Sequence, residues 1–352
     1  MVPWRCGGDR HGALLSYSNH TIASGLRIVQ PSGCRWQVAD AARVPGGGTV
    51  WPHVRLARWR RRTRRDRPHE LCRRPIDDAE DDHDRLAARG QERRDLRRRR
   101  RHRRAVARVF AREGARVFLA GRTQAKLDAV ARDVAAAGGR ADVAQVDVFD
   151  QRAVDEHAEG VAASVGSIDI ALNAVSVMHD QGTPLADLSL EEFMRPIQGF
   201  LQTLFVTSKA VARHMGGNRP GVVLTLSEPG ARLALPGILG DGVSAAGKEA
   251  FSRLLAAELA PRGIRVVDIR PHAVVDAPAA GSYTGELFAK SAAASGRSVA
   301  EFLGDGGLAQ GTLLNRLPTL SEIAETAAFL ASDRAGAMTA TIANLSGGAL
   351  VD

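Results

Sequence analysis

From Ala105 onward the sequence predicts a doubly wound α/β domain, Rossmann-like, built on a parallel sheet. Three observations carry this. Helical and strand patterns alternate in order along the chain. The strand segments are apolar almost throughout, as strands covered on both faces must be. The helical segments open on capping residues or close on glycines.

The run AVARVFAREG has the spacing of an amphipathic helix and stops at Gly114. A short apolar strand, ARVFLAG, follows it. A helix from about Gln124 to Ala137 is closed by Gly138 and Gly139, and leads to the strand ADVAQVDV. A helix from about Gln151 to Val165 precedes the strand IDIAL. Ser189 and Glu192 form a capping-box pair that starts a long helix reaching about Met215. The strand GVVLTLS, a helix from about Val243 to Ala260 and the strand IRVVDI come next. From 271 to 318 the chain is rich in Ala, Gly and Ser and shows no period, which predicts an irregular, mobile lid. Thr319 and Glu322 cap a last helix ending near Ser332, and TIANLSGG is the closing strand.

That makes six strands after Ala105. A doubly wound dinucleotide fold wants a further strand and a glycine-rich turn before its first helix. The place for them falls in an Arg-rich segment, where 96 to 103 contains no glycine. An arginine run can arise when glycine codons of a GC-rich gene are read one base out of phase. The expectation is therefore that the first strand and turn are missing or replaced.

Charge divides the chain at the same point. The net charge is +9, yet residues 1–104 hold 26 Arg, no Lys and 12 acids, while 105–352 hold 22 basic and 27 acidic residues. All four Trp and all three Cys also lie before residue 105. The first 104 residues carry charge runs and no sustained period, which predicts a disordered or non-native extension. An arginine arm could neutralise phosphates on nucleic acid, but no aromatics are interleaved with it, so that role is a third-ranked alternative. Cys6, Cys34 and Cys72 stand too far apart for a zinc site or a disulfide framework. No metal is expected. The sequence has no run of about 18 apolar residues and no leader pattern, so a cytoplasmic protein without a membrane span is expected.

Four segments in order, AREGARVFLAGRT, GTPLADLSLEEF, SRLLAAELAPRGIRVVDIRP and EIAETAAFLASDRAGAMTATIANLSGG, resemble the short-chain dehydrogenase/reductase family over almost all of 105–352. The resemblance implies NADP-dependent hydride transfer to or from a carbonyl or alcohol. It puts Gly121, Arg122 and Thr123 beside the adenosine ribose, where Arg122 suits a 2′-phosphate and so NADP rather than NAD. It puts Asp147 and Val148 at the adenine, and Asn173 at the start of the turn next to the nicotinamide. That turn reads Asn173-Ala174-Val175-Ser176, without the family's glycine.

The family's four catalytic residues are an Asn, a Ser, a Tyr and a Lys. The positions matching them here are Phe200, Glu228, Asp241 and Ala245. Counting from two separate segments gives the same Asp241 and Ala245. The glycine of a Pro-Gly turn beside the nicotinamide is His272. Lys248 falls three residues past the Lys position and is expected to point to another face; Tyr283 is expected at the surface or in the lid. The resemblance thus implies an oxidoreductase fold with weak dinucleotide binding and impaired catalysis. The alternatives are a non-catalytic binding or assembly subunit, homo-oligomeric through the helices Leu190 to Met215 and Val243 to Ala260, or a different acid/base set of Glu228, Asp241 and His272.

Overall fold

The computed structural model of the chain describes the backbone of residues 13–17 and residues 105–217, 219–280, 282–304 and 306–351. Residues 1–12 and 18–104, the Arg-rich run at 96–103 among them, and the extension and nucleic-acid readings that rest on them lie outside the described residues.

The elements are β1 (Ala13–Tyr17), α1 (Ala105–Arg112), β2 (Arg116–Gly121), α2 (Gln124–Ala136), β3 (Arg140–Gln145), α3 (Gln151–Val165) and β4 (Ile170–Leu172). After these come α4 (Leu190–Ala212), β5 (Gly221–Leu226), α5 (Leu239–Leu259), β6 (Ile264–Pro271), α6 (Thr284–Ala294), α7 (Val299–Leu303), α8 (Leu320–Ala331) and β7 (Thr341–Leu345). All pairings are parallel, in the order β3-β2-β1-β4-β5-β6-β7. The chain order reverses between β1 and β4, so a crevice opens at the carboxyl ends of those strands.

Alternate residues of each strand serve opposite layers. Val117 and Leu119 of β2, with Leu224 of β5, pack into the core shared with α1, α2 and α8. Phe118 and Ala120, with Val223, pack into the core shared with α3, α4 and α5. Burial on both faces is why these strands read as continuous apolar runs.

Three expectations need correction. The strand before α1 is not missing, nor does it come from the Arg-rich segment: Ala13–Tyr17 fills the place between β2 and β4, with Ala13 opposite Val117 and Leu15 opposite both Leu119 and Leu172. The strand stands apart from the regular alternation that begins at Ala105, and its partners lie about 100 and about 160 residues further on. The stretch 271–318 is not wholly irregular, because it contains α6 and α7, the latter opened by a capping box of Ser298 and Glu301. Its alanines and serines are helix-compatible but flatten the polar–apolar contrast that reveals a period. Finally, α5 begins at Leu239 rather than near Val243, which brings Asp241 into its first turn. The capping boxes of α4 and α8, and Gly166 with positive φ after α3, are where the sequence put helix ends.

Candidate active site

A cleft of about 640 Å³ lies over the carboxyl ends of β4, β5 and β6, with α6 along one side. Its wall is built by two loops locked to each other. The loop after β4 and the loop before α5 meet where the Gly182 N–H donates to the Gly237 carbonyl at 2.7 Å. Gly237 has φ +77°, and a Cβ there would stand 2.7 Å from the Gly182 Cα, so the contact requires glycine. This lock sets His179 and Gln181 against the first turn of α5.

His179 and Asp241 meet there. His179 Nε2 lies 3.1 Å from Asp241 Oδ1, with side-chain exposures of 2% and 7%. Gln181 Nε2 donates to Asp241 Oδ2 at 2.9 Å, so both carboxylate oxygens are engaged. His179 Nδ1 is 2.8 Å from the Val177 carbonyl, which requires a proton on Nδ1. Burial disfavours the imidazolium, but the hydrogen bond and charge of Asp241 outweigh it and raise the His179 pKa. For Asp241, burial works toward the neutral acid; the hydrogen bond and charge of His179 outweigh it and hold the pKa below its usual value.

Lys248 and Glu228 form a second pair at 2.6 Å. Glu228 follows β5 directly. Lys248 is seven residues after Asp241 on α5, two helical turns, and therefore on the same face. This corrects the expectation that it points elsewhere; the offset of three from Ala245 also turns the helix by only about 60°. The Lys248 ammonium lies 4.2 Å from the centroid of the Phe200 ring, so Phe200 stands beside the cation rather than holding a water. Glu228 Oε1 is shielded and makes no hydrogen bond. Burial, opposed by the Lys248 charge, pushes its carboxyl up to about 7.

Tyr283 is not remote from this cluster. It precedes α6, lines the cleft, and packs edge-on to His179 with ring centroids 5.9 Å apart. Burial, and then the charges of Asp241 and Glu228, push its phenol well above the ordinary value. His272 lines the same cleft at the end of β6, and burial lowers its pKa, but its imidazole accepts a hydrogen bond from the Ala273 N–H rather than meeting either carboxylate. The imidazole that meets Asp241 is therefore His179, which sequence reasoning missed. Its only signal was position, a few residues past the turn at Asn173. Ala245 is fully buried and carries no chemistry.

Beneath the cleft floor a polar network fixes the end of β5. Asp268 accepts from Ser227 and from Thr225, the latter at 2.6 Å, and Glu249 accepts from Arg270 at 3.0 Å. Asp268 and Arg270 are completely buried. Burial pushes the Asp268 carboxyl up to about 6 against those hydrogen bonds. These residues alternate with apolar ones in strands that otherwise read as core, which hid them. Above the cleft, Lys290 of α6 pairs with Asp180, tying that helix to the His179 loop.

The positions that match the family's dinucleotide site gather at the carboxyl ends of β2, β3 and β4. Gly121 ends β2, and Gln145 Nε2 holds the following loop by donating to the Arg122 carbonyl at 3.0 Å. Arg122 Nε is shielded and without a hydrogen-bond partner, a donor suited to an anionic ligand group. Thr123 is the N-cap of α2 but makes no side-chain cap bond. Asp147 is exposed and accepts from the Phe149 N–H, while Asp150 caps α3. Val148 is fully buried, so only its backbone can face a ligand. Asn173 donates to Thr207 and Thr203 of α4, which pins the end of β4 to that helix. The residues present fit the adenosine half of a dinucleotide; a pyrophosphate loop after β1 would lie outside the described residues.

Residues 104–349 match the family profile described as enoyl-(acyl carrier protein) reductase. The chain belongs to the short-chain dehydrogenase/reductase family. This dehydrogenase/reductase chain is 30% identical over 246 residues to an uncharacterized oxidoreductase of Mycobacterium tuberculosis, covering 69% of itself and 86% of that protein. It is 29% identical over 245 residues to the 3-oxoacyl-[acyl-carrier-protein] reductase of Escherichia coli, covering 70% and 91%. Among solved structures, a dehydrogenase/reductase of Sinorhizobium meliloti matches with a TM-score of 0.58 at 25% identity, covering 70% and 90%. Short-chain dehydrogenases/reductases bind nicotinamide dinucleotides. Among the described residues, no helix is long and apolar enough to cross a membrane, and no cluster of His, Cys, Asp and Glu could hold a metal ion.

Proposed function

We propose that this short-chain dehydrogenase/reductase binds a nicotinamide dinucleotide, NADP in preference to NAD, and an apolar carbonyl or alcohol ligand, with the family's hydride transfer impaired. The observation that carries this reading is Asp241 at the proton-donor position, both oxygens engaged and its pKa held low. When bound, a nicotinamide supplies or accepts hydride; reduction of a carbonyl also needs a proton at its oxygen. Asp241 is ionised at neutral pH and has no proton to give. Its charge opposes the alkoxide that forms during transfer. Gly121, Arg122, Thr123, Asp147, Val148 and Asn173 would hold the dinucleotide, and Arg122 favours the 2′-phosphate. Titration with NADPH followed by fluorescence, and NADPH oxidation on a broad carbonyl panel, test this together. The expected result is binding with little or no oxidation. Oxidation abolished by Asp241→Asn would overturn it.

A second reading, an assembly subunit, draws support from exposed apolar residues Phe205 on α4 and Val243 and Leu254 on α5. Light scattering should give at least a dimer, and Leu254→Glu should lower the mass; a monomer at micromolar concentration would remove this reading.

A further inference from the structure

We propose that the cleft catalyses proton transfer at the carbon next to a ketone carbonyl without any dinucleotide, Glu228 acting as base and the Tyr283 hydroxyl donating a hydrogen bond to the carbonyl oxygen. The inference deepens the function proposed above and rests on its reading that the cleft accepts an apolar carbonyl ligand.

The assignment follows from which polar groups are already committed. Asp241 has one oxygen on His179 and one on Gln181. His179 has one ring nitrogen at the Val177 carbonyl and the other at Asp241. Lys248 is bound to Glu228 and lies beside the Phe200 ring. Apart from the further N–H donors of Lys248, two functional groups of the cluster have unspent capacity. Glu228 holds Lys248 through Oε2, while Oε1 has no hydrogen-bond partner. Tyr283 is held by ring packing on His179. Among the described residues no hydrogen bond involves its hydroxyl.

The chemistry balances without an oxidant or reductant. The C–H bond next to the carbonyl breaks, and its proton moves to the Glu228 carboxylate. The bonding pair becomes the C=C bond of an enolate, and the carbonyl π pair moves to oxygen, where the Tyr283 O–H stabilises it. Return of the proton regenerates the ketone. A base matched to neutral pH and a donor that stays protonated are what this step needs, and burial drives Glu228 and Tyr283 in those directions. The cleft wall supplies the body of the site through Leu226, Leu233, Leu235, Leu287, Phe288 and Phe302. The ligand class is a mostly apolar ketone with enolisable hydrogens.

The test uses the full chain with no added dinucleotide, and β-tetralone as the probe in deuterated buffer. Loss of the proton signals next to the carbonyl reports exchange, and saturation-transfer NMR reports binding. Exchange above the buffer rate is expected, rising with pH as Glu228 ionises in the presence of Lys248, Asp241, His179, His272 and Tyr283 around it. Glu228→Gln should lower the rate about 100-fold or more, and Tyr283→Phe by a similar factor, with β-tetralone still bound. Glu228→Asp should retain part of the rate. Should Glu228→Gln fail to fold, the pH profile and Tyr283→Phe decide. Binding with exchange no faster than buffer, or exchange indifferent to both residues, overturns the inference and leaves the proposed function standing. Absence of any β-tetralone binding overturns both.

Discussion

His179 in the loop after β4 and Asp241 in the first turn of α5, 62 residues apart in the chain, are joined Nε2 to Oδ1 at 3.1 Å, and both are sealed from solvent. Neither would be stable alone at that depth as a charge. Removing the imidazole leaves a buried carboxylate with Gln181 as its remaining hydrogen-bond partner. We therefore expect His179→Ala to cost about 3–5 kcal/mol, the usual consequence of breaking a buried pair by deleting one partner. Gln181→Ala should cost less, about 1–3 kcal/mol, because it removes one hydrogen bond from a neutral donor and leaves the imidazole beside the carboxylate. Chemical denaturation at pH 7 measures both. Equal losses, or no loss from His179→Ala, would show that the pair carries no such weight.

The same cluster makes stability depend on pH, and the sign can be worked out. Glu228 and Asp268 titrate at about 7 and about 6 in the folded chain, above their ordinary values of 4.5 and 3.8, and His179 is raised above 6.5. Each binds its proton more tightly folded than unfolded. Their stabilisation is complete below the unfolded values and is lost as pH rises through the folded ones. Asp241, with a lowered pKa, acts oppositely, and its contribution is lost only in acid. Melting temperature should therefore be highest near pH 5 and fall by several degrees toward pH 8, at about 2–4 °C per kcal/mol. Glu228→Gln should flatten the decline. A melting temperature that rises from pH 5 to pH 8 would contradict the assignment.

These groups show where sequence reading reaches its limit here. The sheet was legible because Val117 to Ala120, Val222 to Leu224 and Val266 to Ile269 face two cores at once, and both capping boxes named from sequence, at Ser189 and Thr319, are present. Positions such as Asp241 could be placed by counting within one helix. His179 and Tyr283 could not, because their place depends on how loops after β4 and β6 fold back over α5. Lys248 was misjudged for a different reason: its long side chain crosses the 60° between its direction and that of Ala245. Asp268 and Arg270 were invisible as a site, since polar residues alternating with Ile269 at the end of an apolar strand read as a solvent-facing side rather than a buried network.

Arg122 offers a test of dinucleotide preference. Its Nε is shielded and unpartnered at the end of β2, and its backbone carbonyl is held by Gln145. A charge-assisted hydrogen bond is worth about 1.5–3 kcal/mol, or roughly 10- to 150-fold in affinity. Arg122→Ala should weaken NADPH binding by about that factor and leave NADH nearly unchanged. Parallel titrations read this directly, and equal loss for the two dinucleotides would count against a 2′-phosphate contact.

Restoring the family's proton donor and cation should not restore its reaction. The double change Asp241→Tyr and Ala245→Lys puts the expected residues at the expected positions, yet both positions have been rebuilt around the present ones. Asp241 is the partner of His179 and Gln181, so a tyrosine there strands an imidazole that is only 2% exposed. Ala245 is fully buried, and a lysine chain must find room where a methyl group now packs; overfilling such a site costs about 1–3 kcal/mol before the charge is counted. Lys248 already places an ammonium in the cleft, held by Glu228 and beside Phe200, so a second one 3 residues away meets like charge. The expected outcome is a lower melting temperature and no gain in NADPH-dependent carbonyl reduction above the background of the unmodified chain. A gain of about 100-fold or more with an unchanged melting temperature would mean that the site is a dehydrogenase lacking only those two side chains.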